Sequence, residues 1–198
     1  MWIYNDQIIK SPKTMVIDGV TYPRQIFRDS EQLAALGITP YSETLPNQRY
    51  YWTGARTIVD GVGTYEAIPR DVDGLKENMV QSIKEAVGSR LQPTDWMVIR
   101  AADGGSAVPQ ETADYRAAVR AEGNTKEAEV NALVTLDDII AYENAEYTEV
   151  RKVKHTDDEG VETYGPETEE SVRTINKCTY FACDPVDDPA FVSLTENV

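Results

Sequence analysis

Hydrophobic positions along the chain change their period twice. Up to about residue 70 they fall in short alternating runs. Met15-Val16-Ile17 and Val20-Thr21-Tyr22 flank Asp18-Gly19, a pair suited to the positive φ angles of a two-residue hairpin loop. Gln48 to Thr53 and Thr64 to Ile68 read as a second hairpin joined by a glycine-containing loop. Between them Ser30 can cap a short helix over 31–36, and Gly37 can end it in the left-handed conformation.

Near Pro69-Arg70-Asp71 the period lengthens to that of a helix. Leu75, Met79, Ile83, Val87 and Leu91 recur every fourth residue, with Lys76, Glu77, Lys84 and Glu85 elsewhere on the wheel. Pro93 is expected to stop this helix, because proline lacks the N–H a helix interior needs. Thr94 would then cap a second short helix, with Trp96, Val98 and Ile99 as buried anchors. Gly104-Gly105 breaks that turn, and Pro109 suits the first position of a further helix whose inner face carries Val108, Thr112, Tyr115 and Val119. Gly123-Asn124 is expected to kink or end it before residues 126–133 resume, and a last short helix is predicted over 136–142.

The final third alternates again. Tyr147 to His155 reads as a strand, 157–160 as a polar turn, 161–164 as its return, and Val172 to Phe181 as a further strand with no cleanly apolar face. Such a ribbon is marginal alone and is expected to lean on another domain, subunit or partner. The pattern thus predicts an α+β chain in three parts: a β-rich unit over 1–70 with hairpins, a helical hairpin over 71–144, and a C-terminal β-ribbon over 145–198.

Charge sharpens this picture. The formal net charge of the 198 residues is -15, but residues 1–70 hold seven acids and seven bases, 71–144 fourteen and seven, and 145–198 thirteen and five. An acidic surface repels phosphate backbones and anionic lipid, so neither nucleic acid nor membrane is an expected partner. No apolar run approaches the roughly 18 residues of a membrane span, and Met1 to Asp6 lack the start of a signal peptide, which predicts use in a cytoplasm.

Reactive chemistry is sparse. The lone histidine, His155, is far in sequence from Cys178 and Cys183, so a zinc site and a metal cofactor are not expected, and the two cysteines read as free thiols on or beside a strand, a local disulfide being the less expected alternative. Asp137-Asp138, Asp157-Asp158 and Asp187-Asp188 are adjacent pairs whose side chains diverge on a regular element, unlike acids converging across a cleft. Asp71-Val72-Asp73-Gly74 and 157–160 lack the Glu that closes a twelve-residue calcium loop. Gly61-Val62-Gly63 and Gly104-Gly105 lack the Lys-Ser/Thr of a phosphate loop. No enzyme activity and no cofactor are therefore predicted. Tyr51 and Trp52, beside Tyr50 on one predicted strand, are candidates for an exposed aromatic anchor, core packing being the commoner use.

The middle of the chain resembles a known pattern. Leu91-Gln92-Pro93-Thr94-Asp95-Trp96, then Arg100, a glycine pair, Pro109 and Tyr115-Arg116-Ala117-Ala118-Val119-Arg120 resemble the "L-x-x-T-D-W … P … Y/W-R-x-x-L/I-R" pattern of bacteriophage tail-fibre assembly proteins, also called tail assembly chaperones. That likeness covers about residues 72–133. Tyr22-Pro23, residues 31–38, Tyr50-Tyr51 and Gly54 resemble the small N-terminal unit that often precedes it, extending the likeness to roughly residues 15–133.

The resemblance implies a non-enzymatic protein that binds a tail fibre or another tail or baseplate protein. It acts in the host cytoplasm during assembly and either leaves or stays on the virion tail. Trp96, Arg100, Tyr115, Arg116 and Arg120 are its motif positions, which either contact a partner or organise the helical module, pairing with Asp95, Asp103 or Glu111. The ribbon after residue 145 lies outside the pattern. It keeps a second reading open, a stoichiometric virion component such as a fibre adaptor or baseplate decoration, with self-association in a homo-oligomer as an option. A remote third reading, an acidic DNA-mimic inhibitor, sits poorly with the neutral first third.

Overall fold

The computed structural model describes residues 1–157 and 159–197; Asp158, within the predicted 157–160 turn, and Val198 lie outside the described residues. The fold is α+β, and its contacts gather into two compact units, Met1–Arg70 and Asp71–Val198.

The first unit is built from short strands and tight turns: β1 (Trp2–Tyr4), β2 (Gln7–Ile9), β3 (Met15–Ile17), β4 (Val20–Tyr22), a 3-10 turn over Arg24–Arg28, α1 (Ser30–Ala35), β5 (Thr39–Pro40), β6 (Ser42–Thr44), β7 (Tyr51–Val59) and β8 (Val62–Pro69). Three hairpins close on residue pairs with positive φ: Asn5-Asp6, Asp18-Gly19 and Asp60-Gly61. Two positive φ values in a row define the loop whose twist matches that of its strands. The Asp18-Gly19 hairpin was legible in the sequence; the one at Asn5-Asp6 carries no glycine to announce it. Asp29, rather than Ser30, caps α1, its carboxylate accepting the Glu31 and Gln32 N–H groups at 3.1 and 3.0 Å. The strands form three small sheets ordered β2-β1-β5, β3-β4 and β6-β8-β7, with β6 parallel to β8. Ile9, Ile17, Ile26, Phe27, Leu33 and Ile38 form the core, and Trp2 sets its ring edge-on to Phe27 at 4.8 Å. Each such side chain contributes about 1.5–3 kcal/mol when fully buried, and six of them hold a unit of very short strands.

The second unit opens with α2 (Val72–Ala102), capped by Asp71, whose carboxylate accepts the Gly74 N–H at 2.7 Å. It is followed by α3 (Gln110–Ala132), α4 (Leu136–Glu143), β9 (Ala145–Thr156), β10 (Glu162–Ile175) and β11 (Phe191–Glu196). The predicted stop at Pro93 is wrong: α2 runs unbroken for 31 residues, and Thr94 starts no new helix. The proline removes the N–H partner of one carbonyl only, that of Ser89 four residues back, while the nearby Ala86 carbonyl accepts from Arg90 and the Leu91 carbonyl from Thr94 and Arg116. The predicted break at Gly123-Asn124 is also absent. Gly123 lies inside α3, where an added Cβ would sit 2.6 Å from Val87 Cγ2, so this glycine lets α2 and α3 approach closely. Lys76 closes the other end of the pair, its ammonium donating to the Asn131 and Leu133 carbonyls at the C-terminus of α3.

A reciprocal capping box between Thr135 and Asp138 starts α4. The sheet is antiparallel and ordered β10-β9-β11. The strand predicted to reach Phe181 ends at Ile175. Asn176 Oδ1 accepts the Cys178 N–H, and its carbonyl accepts from Thr179 and Tyr180, so an asparagine turn replaces the strand. Cys178 and Cys183 are free thiols in the turn segment that follows, Cys178 buried and Cys183 half-buried. The sheet shares its compact unit with the helices.

Candidate interaction site

Leu91, Thr94 and Asp95 on α2 meet Arg116 on α3. The Arg116 guanidinium, whose side chain is 6% exposed, donates through Nη1 to the Leu91 carbonyl at 2.7 Å and to Thr94 Oγ1 at 2.5 Å, and through Nη2 to Asp95 Oδ1 at 2.7 Å. The Thr94 hydroxyl in turn donates a hydrogen bond to the Leu91 carbonyl at 3.0 Å. Four of the motif positions therefore form one hydrogen-bonded lock between two helices. The pairing of Arg116 with Asp95 is the local one anticipated from sequence, but its buried cation makes it more than a surface pair.

Tyr115 belongs to a second lock. Its hydroxyl donates to Asp184 Oδ1 at 3.1 Å, and Asp184 is gripped by Arg90 through Nε at 2.8 and 2.9 Å and Nη2 at 2.5 Å. The Arg90 guanidinium also lies 4.2 Å from the centre of the buried Phe181 ring. Burial, then the hydrogen bond and charge of Asp184, push the Tyr115 hydroxyl above its ordinary pKa. Beside it Glu122 accepts the Ala182 and Cys183 N–H groups at 2.9 and 3.2 Å. Burial raises the Glu122 carboxyl, but those hydrogen bonds, the Cys183 thiol and Lys126 outweigh it and leave the group below its ordinary value. Burial, then the facing Glu122 carboxylate, lift the Cys183 thiol to about 11. Arg90, Glu122 and Asp184 carried no sequence signal, since Arg90 and Asp184 are 94 residues apart.

Trp96 is the reverse of the buried anchor expected. It is 53% exposed and Ile99 62%, with Val98 exposed as well. Because α2 does not turn at Pro93, these side chains stay in solvent and do not fold into an interhelical loop, Trp96, Ile99 and Arg100 on one side of the helix and Val98 on the other. Arg100, one turn beyond, stacks 4.9 Å from the Trp96 ring centre. Arg120 is exposed too, bordering a shallow groove with Lys84, Val87, Gly123, Asn124 and Glu127.

In the first unit the three neighbouring aromatics separate. Tyr50 is buried, Tyr51 half-buried and Trp52, 57% exposed, faces Ile68 across the β7–β8 pair. The Arg70 guanidinium stacks 3.8 Å from the Trp52 ring centre, and Gln48, Tyr51, Trp52, Thr53 and Arg70 line a shallow groove. The predicted exposed aromatic is Trp52.

Among the described residues no group of three or more His, Cys, Asp or Glu converges as a metal cage, and no helix is long and apolar enough to cross a membrane. The sequence matches no protein-family model, no curated protein and no solved structure. The geometry consists of two internal polar locks that hold the helical pair, and a Trp96–Ile99–Arg100 surface mounted on the result.

Proposed function

We propose that this chain is a non-enzymatic phage tail protein of the fibre-assembly kind, which binds a fibre or another tail protein through the exposed Trp96–Arg100 segment of α2. One observation carries the reading: Trp96, Val98 and Ile99 are exposed on a helix fixed immediately upstream by the Arg116 lock. An exposed Trp with Arg stacked on it is the side-chain chemistry enriched at protein-interface hot spots. A rigid helix loses little further entropy on binding. The motif then divides its labour, with Leu91, Thr94, Asp95 and Arg116 holding the helices together and Trp96 and Arg100 facing the partner.

Quantitative mass spectrometry of purified virions and of the matching infected lysate tests the biological setting. Abundance in lysate with absence from particles identifies an assembly factor that leaves. A fixed copy number per particle identifies a component that stays, and absence from both rejects the phage reading.

A further inference from the structure

β10 is an edge strand. Among the described residues it pairs with β9 alone, and from Thr168 to Thr174 every residue is exposed, Val172 by 64%. The pairing of β10 with β9 is irregular between Tyr164 and Thr168, around Gly165-Pro166, and Pro166 has no N–H to offer a neighbour. Beyond that point the edge carries neither proline nor lysine, and its charges, Glu167, Glu169, Glu170 and Arg173, disfavour an arbitrary strand and select one of complementary charge. It is an open template for another strand.

We propose that this edge pairs antiparallel with the same edge of a second copy, about a two-fold axis at Ser171, joining two three-stranded sheets into one of six strands. Residues directly opposed in an antiparallel pair point to the same face, so a symmetric pairing must be centred on a residue. Centring on Glu169, Glu170 or Arg173 sets like charges against each other, and centring on Val172 makes no ion pair. Centring on Ser171 sets Glu169 of each copy opposite Arg173 of the other, Thr168 opposite Thr174, Glu170 opposite Val172, and serine opposite serine, so that no like charges meet. Glu169 lies opposite Arg151 in the β9–β10 ladder, but among the described residues its carboxylate makes no hydrogen bond or ion pair within its own chain. Arg173 is 55% exposed and uses only Nη1, on Glu149, leaving its other donors free. The edge is complementary to itself in this register, and a two-fold pairing of this type closes without leaving a further β10 edge open.

Light scattering or sedimentation equilibrium of the full chain tests this, together with two variants. The expected mass is twice 22.1 kDa. E169K places a lysine against Arg173 at both ends and is expected to weaken the dimer by at least about tenfold while leaving the circular dichroism spectrum unchanged. S171C, in a C183S background, is expected to form an interchain disulfide under mild oxidation, since opposed Cα atoms about 4.5–5.5 Å apart lie within disulfide reach. The same background without S171C should form none. A monomer up to the solubility limit overturns the proposal and leaves the edge to a strand of another protein. A dimer indifferent to E169K, or one that S171C fails to link, overturns it equally.

Discussion

Arg116 and Trp96 sit on facing helices and answer to different demands. Replacing Arg116 by alanine removes three hydrogen bonds, leaves the Thr94 hydroxyl and the Leu91 carbonyl only each other, and frees Asp95, so R116A should lower stability by about 2–3 kcal/mol in urea unfolding. R116K, a point charge in place of a fork, should recover less than half of that. W96A removes an already exposed ring and should stay within about 0.5 kcal/mol of the parent. If W96A destabilises as much as R116A, the division between lock and contact surface fails. Cys183 offers a pH test. Its thiol is lifted from an ordinary 9.0 to about 11, so between those values the folded chain holds a proton that the unfolded chain releases. Stability is therefore fully present below pH 9 and falls as pH rises toward 11. Tyr147, lifted from 10.0 to about 12 by burial and then by Glu196, extends the loss upward. Denaturation midpoints measured across this range should fall less steeply between pH 9 and 11 in C183S.

At the scale of elements, α2 and α3 depend on a close approach that only glycine permits. G123A should cost about 1–3 kcal/mol through the clash with Val87, and V87A in the same chain should relieve part of it, which a double-mutant cycle will read as coupling. The same elements show what the sequence could express. The Asp18-Gly19 hairpin, Gly37 at positive φ beyond α1, and the apolar spacing of Leu75, Met79 and Ile83 are local and were readable. Pro93 was not, because its local cost is clear in sequence while the bonds that tie Leu91, Thr94 and Asp95 on either side of it to α3 come from Arg116, on another helix. Asn176 misled for a related reason: alternation continues through it, but its side chain takes the Cys178 N–H and turns the chain. In the candidate site the motif residues were legible as a set. Their split into buried and exposed members depended on whether α2 continues past Pro93.

The whole molecule is unevenly charged, with a neutral first unit and all of the net -15 in the second. This acidity works against long-range encounter between copies, so dimerisation through β10 should respond to salt in two ways: screening eases the overall repulsion and weakens the exposed Glu169–Arg173 pairs. The surface proposed for a tail partner lies on α2 and is independent of β10, so E169K should leave partner binding intact. The most direct test of the proposed function is affinity capture from the cells in which the chain is naturally made, using the parent chain and a W96A/I99A variant of equal stability, with the retained proteins identified by mass spectrometry. A fibre or other tail protein held by the parent and lost from the variant is the predicted result. Capture of the same tail protein by both chains, or of none by the parent, would contradict it.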